Sequence, residues 1–146
     1  MVENSILEII HRRLGDRMSE FQLPPPVFKA MQGEFLSFNL EQGVLVTRFP
    51  VLDSFLNPYG SMQGGMVAAA VDNTFGPLSM LVASPNVTRR LEMKYSHPIT
   101  PDLEFITVTS RVREQDGRWL ILMAEVRDET GRLLAKAKAR HWLLDQ

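Results

Sequence analysis

Residues 64–82, GGMVAAAVDNTFGPLSMLV, are helix-length and apolar on nearly every face. A helix without a polar side has to be covered all round, so this segment predicts a buried central helix. Runs with a period of two surround it. Before it, Leu36, Phe38 and Leu40 alternate with Ser37 and Asn39, and Glu41-Gln42-Gly43 turns the chain into Val44-Leu45-Val46-Thr47-Arg48-Phe49, a hairpin. After it come strand-like runs at 87–96, 103–113, 119–127 and 133–143, separated by turns such as Gln115-Asp116-Gly117 and Asp128-Glu129-Thr130-Gly131. In the last run Ala135, Ala137 and Ala139 share one face and Lys136, Lys138 and Arg140 the other. Short turns make neighbouring strands antiparallel. The expected architecture is α+β: about six antiparallel strands wrapped around one long helix. Pro77 has no N–H to donate to the carbonyl of Asn73, which predicts a kink or break there.

The 146 residues fit a single domain, 1–146, with residues 1–32 as an N-terminal helix and proline-rich linker and 33–146 as the core. Ile6, Leu7, Ile9, Ile10 and Leu14 fall on one side of the helix over 3–14, and Gly15 follows it. Leu23-Pro24-Pro25-Pro26 suits neither a helix interior nor a central strand. A net charge of −1 with mixed signs gives no footprint for nucleic acid and no polybasic membrane anchor. The absence of cysteine excludes disulfides and thiolate chemistry and fits a cytoplasmic setting. The N-terminus lacks the pattern of a signal peptide, and no run is long enough to span a bilayer.

The chemistry concentrates in NPYGSMQGGMVAAAVDNTFG, residues 57–76. A helix start leaves backbone N–H groups without intrahelical acceptors, and the helix dipole adds partial positive charge. Gly64-Gly65 lets another molecule approach those N–H groups, which suits an oxyanion, a phosphate or a polarised carbonyl. The same glycines also suit tight packing of the helix start against a strand. Asn57-Pro58-Tyr59-Gly60 reads as the turn that aims the helix. Asp72, set among Ala68, Ala69, Val71 and Phe75, is expected to be buried, and desolvation would fit it for acid–base or nucleophilic work. A structural hydrogen bond, a solvent-facing position or a subunit interface is the alternative.

Eight residues of helix separate Gly64 from Asp72, roughly 12 Å of rise. A single carbonyl cannot touch both within one chain. If both act on one substrate, a second copy brings its Asp72 alongside, which predicts a two-fold homodimer with two equivalent sites.

Asn57, Gly60, Gln63-Gly64-Gly65 and Asp72, in this register, resemble the signature of the hotdog-fold thioesterases of the 4-hydroxybenzoyl-CoA thioesterase superfamily, particularly its phenylacetate-pathway acyl-CoA thioesterase branch. The resemblance runs from about residue 35 to the C-terminus and includes Thr88 to Pro98, similar to the family's third strand. It implies hydrolysis of an acyl-CoA thioester without metal or redox cofactor, in a homodimer or a dimer of dimers. Under it the Gly64 N–H stabilises the oxyanion, and Asp72 of the partner subunit acts as general base or nucleophile. Asn57 orients the loop or the attacking water, and Thr88 holds that water or Asp72. Gln63 stands where the family most often has histidine; an amide that donates and accepts can brace the loop there without a titratable ring.

Gln63, Gly65 and Met62 are expected beside the substrate, and Arg89, Arg90 and Lys138 suit the phosphates of coenzyme A, although a solvated sheet face is the commoner explanation of such a basic row. Met62, Met66, Met80 and Phe75 suit an acyl pocket or core filling. His11, His97 and His141 lack metal-ligand spacing and read as structural or surface residues. Two other functions fit the same fold: a non-catalytic acyl-CoA-binding protein, and a hydroxyacyl dehydratase or hydratase. The second leans on a catalytic histidine beside an acid, and none occurs between His11 and His97.

Overall fold

The computed structural model describes residues 1–144. Its elements are α1 (Val2–Leu14), a short α2 (Pro26–Ala30), β1 (Glu34–Asn39), β2 (Val44–Pro50), α3 (Gly64–Val82), β3 (Asn86–Tyr95), β4 (Phe105–Asp116), β5 (Trp119–Arg127) and β6 (Leu133–Leu143). The six strands form one antiparallel sheet in the order β1-β2-β4-β5-β6-β3. Helix α3 touches β2, β4, β5 and β3. In a flat sheet β2 and β3 would stand roughly 19 Å apart, too far for one helix to reach both, so the sheet curls around α3. This is the expected α+β architecture. Pro26 sits in the first turn of α2, where a missing N–H costs nothing. Among the described residues no helix is long and apolar enough to cross a membrane.

The core lies between the concave face of the sheet and α3, from which Val67, Ala70, Val71, Phe75, Leu78 and Leu81 are buried. Ala135, Ala137 and Ala139 of β6 face it, small enough for the helix to sit close. Ile6 and Ile10 of α1 are buried as well, and α1 packs against α3 and β1.

Several expectations are corrected. Of the kink or break expected at Pro77, the break does not occur: the helix continues for another turn to Val82. Nor is α3 covered on every side: Gly65 and Asp72 are exposed and Ala68, Ala69, Asn73 and Gly76 half-buried, so one stripe of small and polar residues is left open. In β1 the inward residues are Phe35 and Phe38, and Leu36 faces solvent because a bulge between Phe35 and Ser37 shifts the alternation by one. Leu40 is exposed because it lies in the turn after the strand ends at Asn39. Leu103 belongs to a 3-10 turn over Pro101–Leu103, and β4 begins two residues later.

Candidate active site

Asn57 builds the turn ahead of α3. Its side-chain oxygen accepts from the N–H of Tyr59 at 2.9 Å and of Ser61 at 3.1 Å, and Gly60 supplies the positive φ of 81° that the turn needs. The loop is then pinned at its exit: the Met62 N–H donates to Ile99 O and the Gln63 N–H to Phe55 O, at 2.7 and 2.8 Å. Met62 itself is buried in the core. Gln63 caps α3 with its backbone only; its carbonyl accepts from Met66 and Val67, and its side chain is exposed. Among the described residues the N–H groups of Gly64 and Gly65 have no acceptor. The helix thus begins with two adjacent free donors at its positive end.

The two glycines are held differently. The Tyr95 hydroxyl donates to Gly64 O at 2.6 Å, and a Cβ on Gly64 would stand 3.3 Å from the Tyr95 ring and hydroxyl. The helix start does pack tightly on β3, as one reading of the glycines required. A Cβ on Gly65 would meet only the Gln63 amide nitrogen, at 4.0 Å, so nothing within the chain demands glycine there.

Asp72 is exposed in the single chain, which overturns the expectation of burial. Its helix position faces the open stripe rather than the sheet. It is not unpartnered: the Thr88 hydroxyl donates to Asp72 Oδ1 at 3.3 Å. Plain alternation would turn Thr88 outward with Arg90, Glu92 and Lys94. A bulge between Thr88 and Arg90 resets the register, so Thr88 lies opposite His141 and shares the inner face with it.

His141 is the residue that sequence reasoning set aside. It is buried, with 2% of its surface exposed, and its ring meets Phe75 edge-on. Its Nδ1 lies 2.8 Å from Asn86 Oδ1 and its Nε2 3.4 Å from Thr88 Oγ1. The Asn86 amide nitrogen donates to Ser84 O, which leaves the side-chain oxygen to accept and puts the imidazole proton on Nδ1. Neutral His141 therefore offers Nε2 as an acceptor, in competition with Asp72 for the one hydroxyl proton of Thr88. Burial pushes the His141 pKa below its ordinary 6.5, against the smaller upward pull of the Asp72 charge. Its signal in the sequence was its place on the alanine face of β6, two residues after Ala139.

The basic residues lie apart from this group. Arg90 and Lys138 are on the outer face of the sheet, in a shallow basin shared with Glu92, Glu114, Asp116 and Arg140, and Arg90 pairs with Glu92. Arg89, at the bulge, has its guanidinium 5.9 Å from the Trp142 ring. Within one chain the sheet separates Arg90 and Lys138 from Gly64 and Asp72. Of the acyl-pocket candidates, Phe75 and Met62 are core, whereas Met80 lines a cavity against α1.

No family model matches the chain. Over 126 residues, 85% of its length, it is 26% identical to a protein of Saccharolobus solfataricus named as a candidate esterase, covering 87% of that protein. Among solved structures, a candidate thioesterase related to phenylacetic acid degradation from Ralstonia eutropha superposes with a TM-score of 0.77 at 25% identity, over 88% of this chain and 98% of that one. The E. coli PaaI protein of the phenylacetic acid degradation operon superposes with a TM-score of 0.79 at 17% identity, over 99% and 97%. The architecture is the hotdog fold of the thioesterases.

Proposed function

We propose that this chain, a hotdog-fold relative of the thioesterases, hydrolyses acyl-CoA thioesters to the free acid and coenzyme A. The observation that carries this reading is the conjunction on α3 of two free N–H donors at Gly64-Gly65 with a carboxylate, Asp72, anchored by Thr88. A thioester needs a donor for the oxygen that becomes negative and a base or nucleophile on the other side of its carbonyl.

The helix is continuous from Gly64 to Asp72, so the two groups stay about 12 Å apart in one chain. The reaction centre accordingly joins Gly64 of one copy to Asp72 of another. Two features support the pairing. Strand β3 is an edge of the sheet, ten residues long, with Val87 40% and Tyr95 50% exposed, and an edge of that kind calls for a partner strand. The open stripe of α3, with Ala68 and Ala69 at its middle, lets a second α3 approach closely. Pairing would also cover Asp72.

In the proposed site the thioester oxygen accepts from the Gly64 N–H, and Gly65 leaves room for the substrate to reach it. Asp72 of the other copy takes a proton from water, whose oxygen attacks the carbonyl carbon; alternatively its carboxylate attacks first and water opens the resulting anhydride. Either way the C–S bond breaks and the coenzyme A thiolate leaves and is protonated. Asn57 holds the loop that aims the N–H donors, with Gln63 at its end. Thr88 fixes the Asp72 rotamer, and His141 positions Thr88. Coenzyme A phosphates are assigned to Arg89, Arg90 and Lys138, which can meet a substrate only where the second copy brings the outer rim of the sheet to it.

Thiol release from a panel of acyl-CoAs tests the reading. Wild type is expected to turn over, and Asp72→Ala to be reduced at least about 1,000-fold. Tight binding of acyl-CoA without turnover by wild type would instead identify a non-catalytic acyl-CoA-binding protein.

A further inference from the structure

Between α1, the proline linker and α3 lies a cavity of about 150 Å³. Its walls include Ile6 and Ile10 of α1, Pro24, Phe35, and Pro77 and Met80 of α3. Among the described residues two polar side chains reach it, Asp72 and Asn73. The Asn73 amide is already committed, donating to Ala69 O at 2.9 Å and to Met31 Sδ at 3.4 Å. The cavity is thus apolar with a single carboxylate, Asp72, on its lining.

Gly76 is the second observation. It too lines the cavity, one helical turn beyond Asp72, and a Cβ built on it meets nothing within 4 Å. A glycine inside a helix is less stable than alanine there, and at this position no neighbour within the chain requires it. Its effect is to leave the cavity open.

We propose that this cavity receives the acyl tail of the substrate, and that α1 is the wall that sets its length. The inference rests on the thioesterase reading above. The chain that lends its Asp72 would also lodge the tail, while Gly64 of the other copy holds the carbonyl. A cavity of about 150 Å³ with mainly aliphatic and aromatic walls has the volume to accept a molecule the size of benzene. The substrate class is therefore a compact, unsubstituted apolar acyl group of about six carbons, a single ring or a short chain. Because the walls beyond Asp72 and Asn73 are apolar, a hydroxyl at the far end of the tail loses its hydration with few partners to replace it and is disfavoured.

The test is the kcat/KM profile over straight-chain acyl-CoAs and over phenyl and 4-hydroxyphenyl acyl-CoAs. Wild type is expected to gain about fourfold per methylene up to about six carbons and then to level off or fall. A terminal ring hydroxyl is expected to lower kcat/KM roughly tenfold or more. Gly76→Val, which fills the cavity from α3, and Leu7→Phe, which fills it from α1, should both shift the optimum to shorter tails, and Met80→Ala should shift it to longer ones. Size-exclusion chromatography of each variant checks that assembly is unchanged. An optimum that stays put in all three variants while wild type is active overturns this inference and leaves the thioesterase reading standing. If wild type hydrolyses no thioester, the thioesterase reading fails. Calorimetric binding of hexanoate then decides the cavity: binding by wild type that Gly76→Val and Leu7→Phe both weaken supports it, and binding they leave unchanged, or none, overturns it.

Discussion

The Thr88 hydroxyl lies 3.3 Å from the Asp72 carboxylate, and a β-bulge at Arg89 is what brings it there. Without the extra residue Thr88 would stand on the outer face of the sheet. With it, Thr88 stands on the inner face between two groups that compete for its proton, Asp72 and His141.

If that hydrogen bond orients the base, its loss should lower turnover and leave binding nearly intact. Thr88→Val, which keeps the shape and removes the hydroxyl, is expected to reduce kcat roughly 10- to 100-fold with little change in KM. Thr88→Ser should recover most of the rate. Steady-state kinetics of the pair check this; equal losses in both variants would point to packing instead.

His141 gives the protein a pH dependence whose sign follows from burial. Its folded pKa is depressed below 6.5 while the unfolded chain titrates near that value. The unfolded state therefore binds the proton first, and stability is full above about pH 6.5 and declines as pH falls toward the folded pKa. His141→Asn, which retains a donor toward Asn86, should flatten that part of the profile. Denaturant midpoints of both proteins between pH 5 and 8 check it. Protonated His141 would also donate from Nε2 to Thr88 and commit the Thr88 proton to Asp72, weakening it as a base, so kcat should fall over the same range.

The free N–H of Gly64 can be removed without removing the helix. Gly64 is the first residue of α3, and Gln63 before it has φ −59° and ψ 139°, a conformation that proline tolerates in its predecessor. Gly64→Pro, whose Cβ obliges the Tyr95 ring to shift by a few tenths of an ångström, is expected to keep the fold by circular dichroism at a somewhat lower melting temperature and to lower kcat about 100- to 1,000-fold.

Gly65→Ala separates the needs of the substrate from those of the fold. Nothing in the chain crowds a Cβ there, so the melting temperature should hold or rise slightly. A raised KM or lowered kcat would then report a substrate lying against that position.

How far the sequence carried can be argued from these same elements. The bounds of strands β5 and β6 were legible to the residue because turns carrying Gly117 and Gly131 delimit them, although their pairing shifts register between Val126 and Arg127. The bulges in β1 and β3 were not, since an extra residue leaves no local signature in composition; it misplaced Leu36 and hid why Thr88 turns inward. Continuation of α3 through Pro77 was also illegible, because packing of Leu78 and Leu81 into the core outweighs one lost helical hydrogen bond. The site's glycines and carboxylate stood out by type and spacing. His141 did not, since its partners Thr88 and Asn86 lie on another strand, 53 and 55 residues away.

The central claim is that each reaction centre combines Gly64 of one copy with Asp72 of another. Mixing the two inactive variants Asp72→Ala and Gly64→Pro under conditions of subunit exchange tests it directly. Random pairing makes half of the dimers mixed, and each mixed dimer holds one intact site of two, so about a quarter of wild-type activity should return. Activity that stays at the level of the separate variants, with exchange verified by mass, would contradict the account.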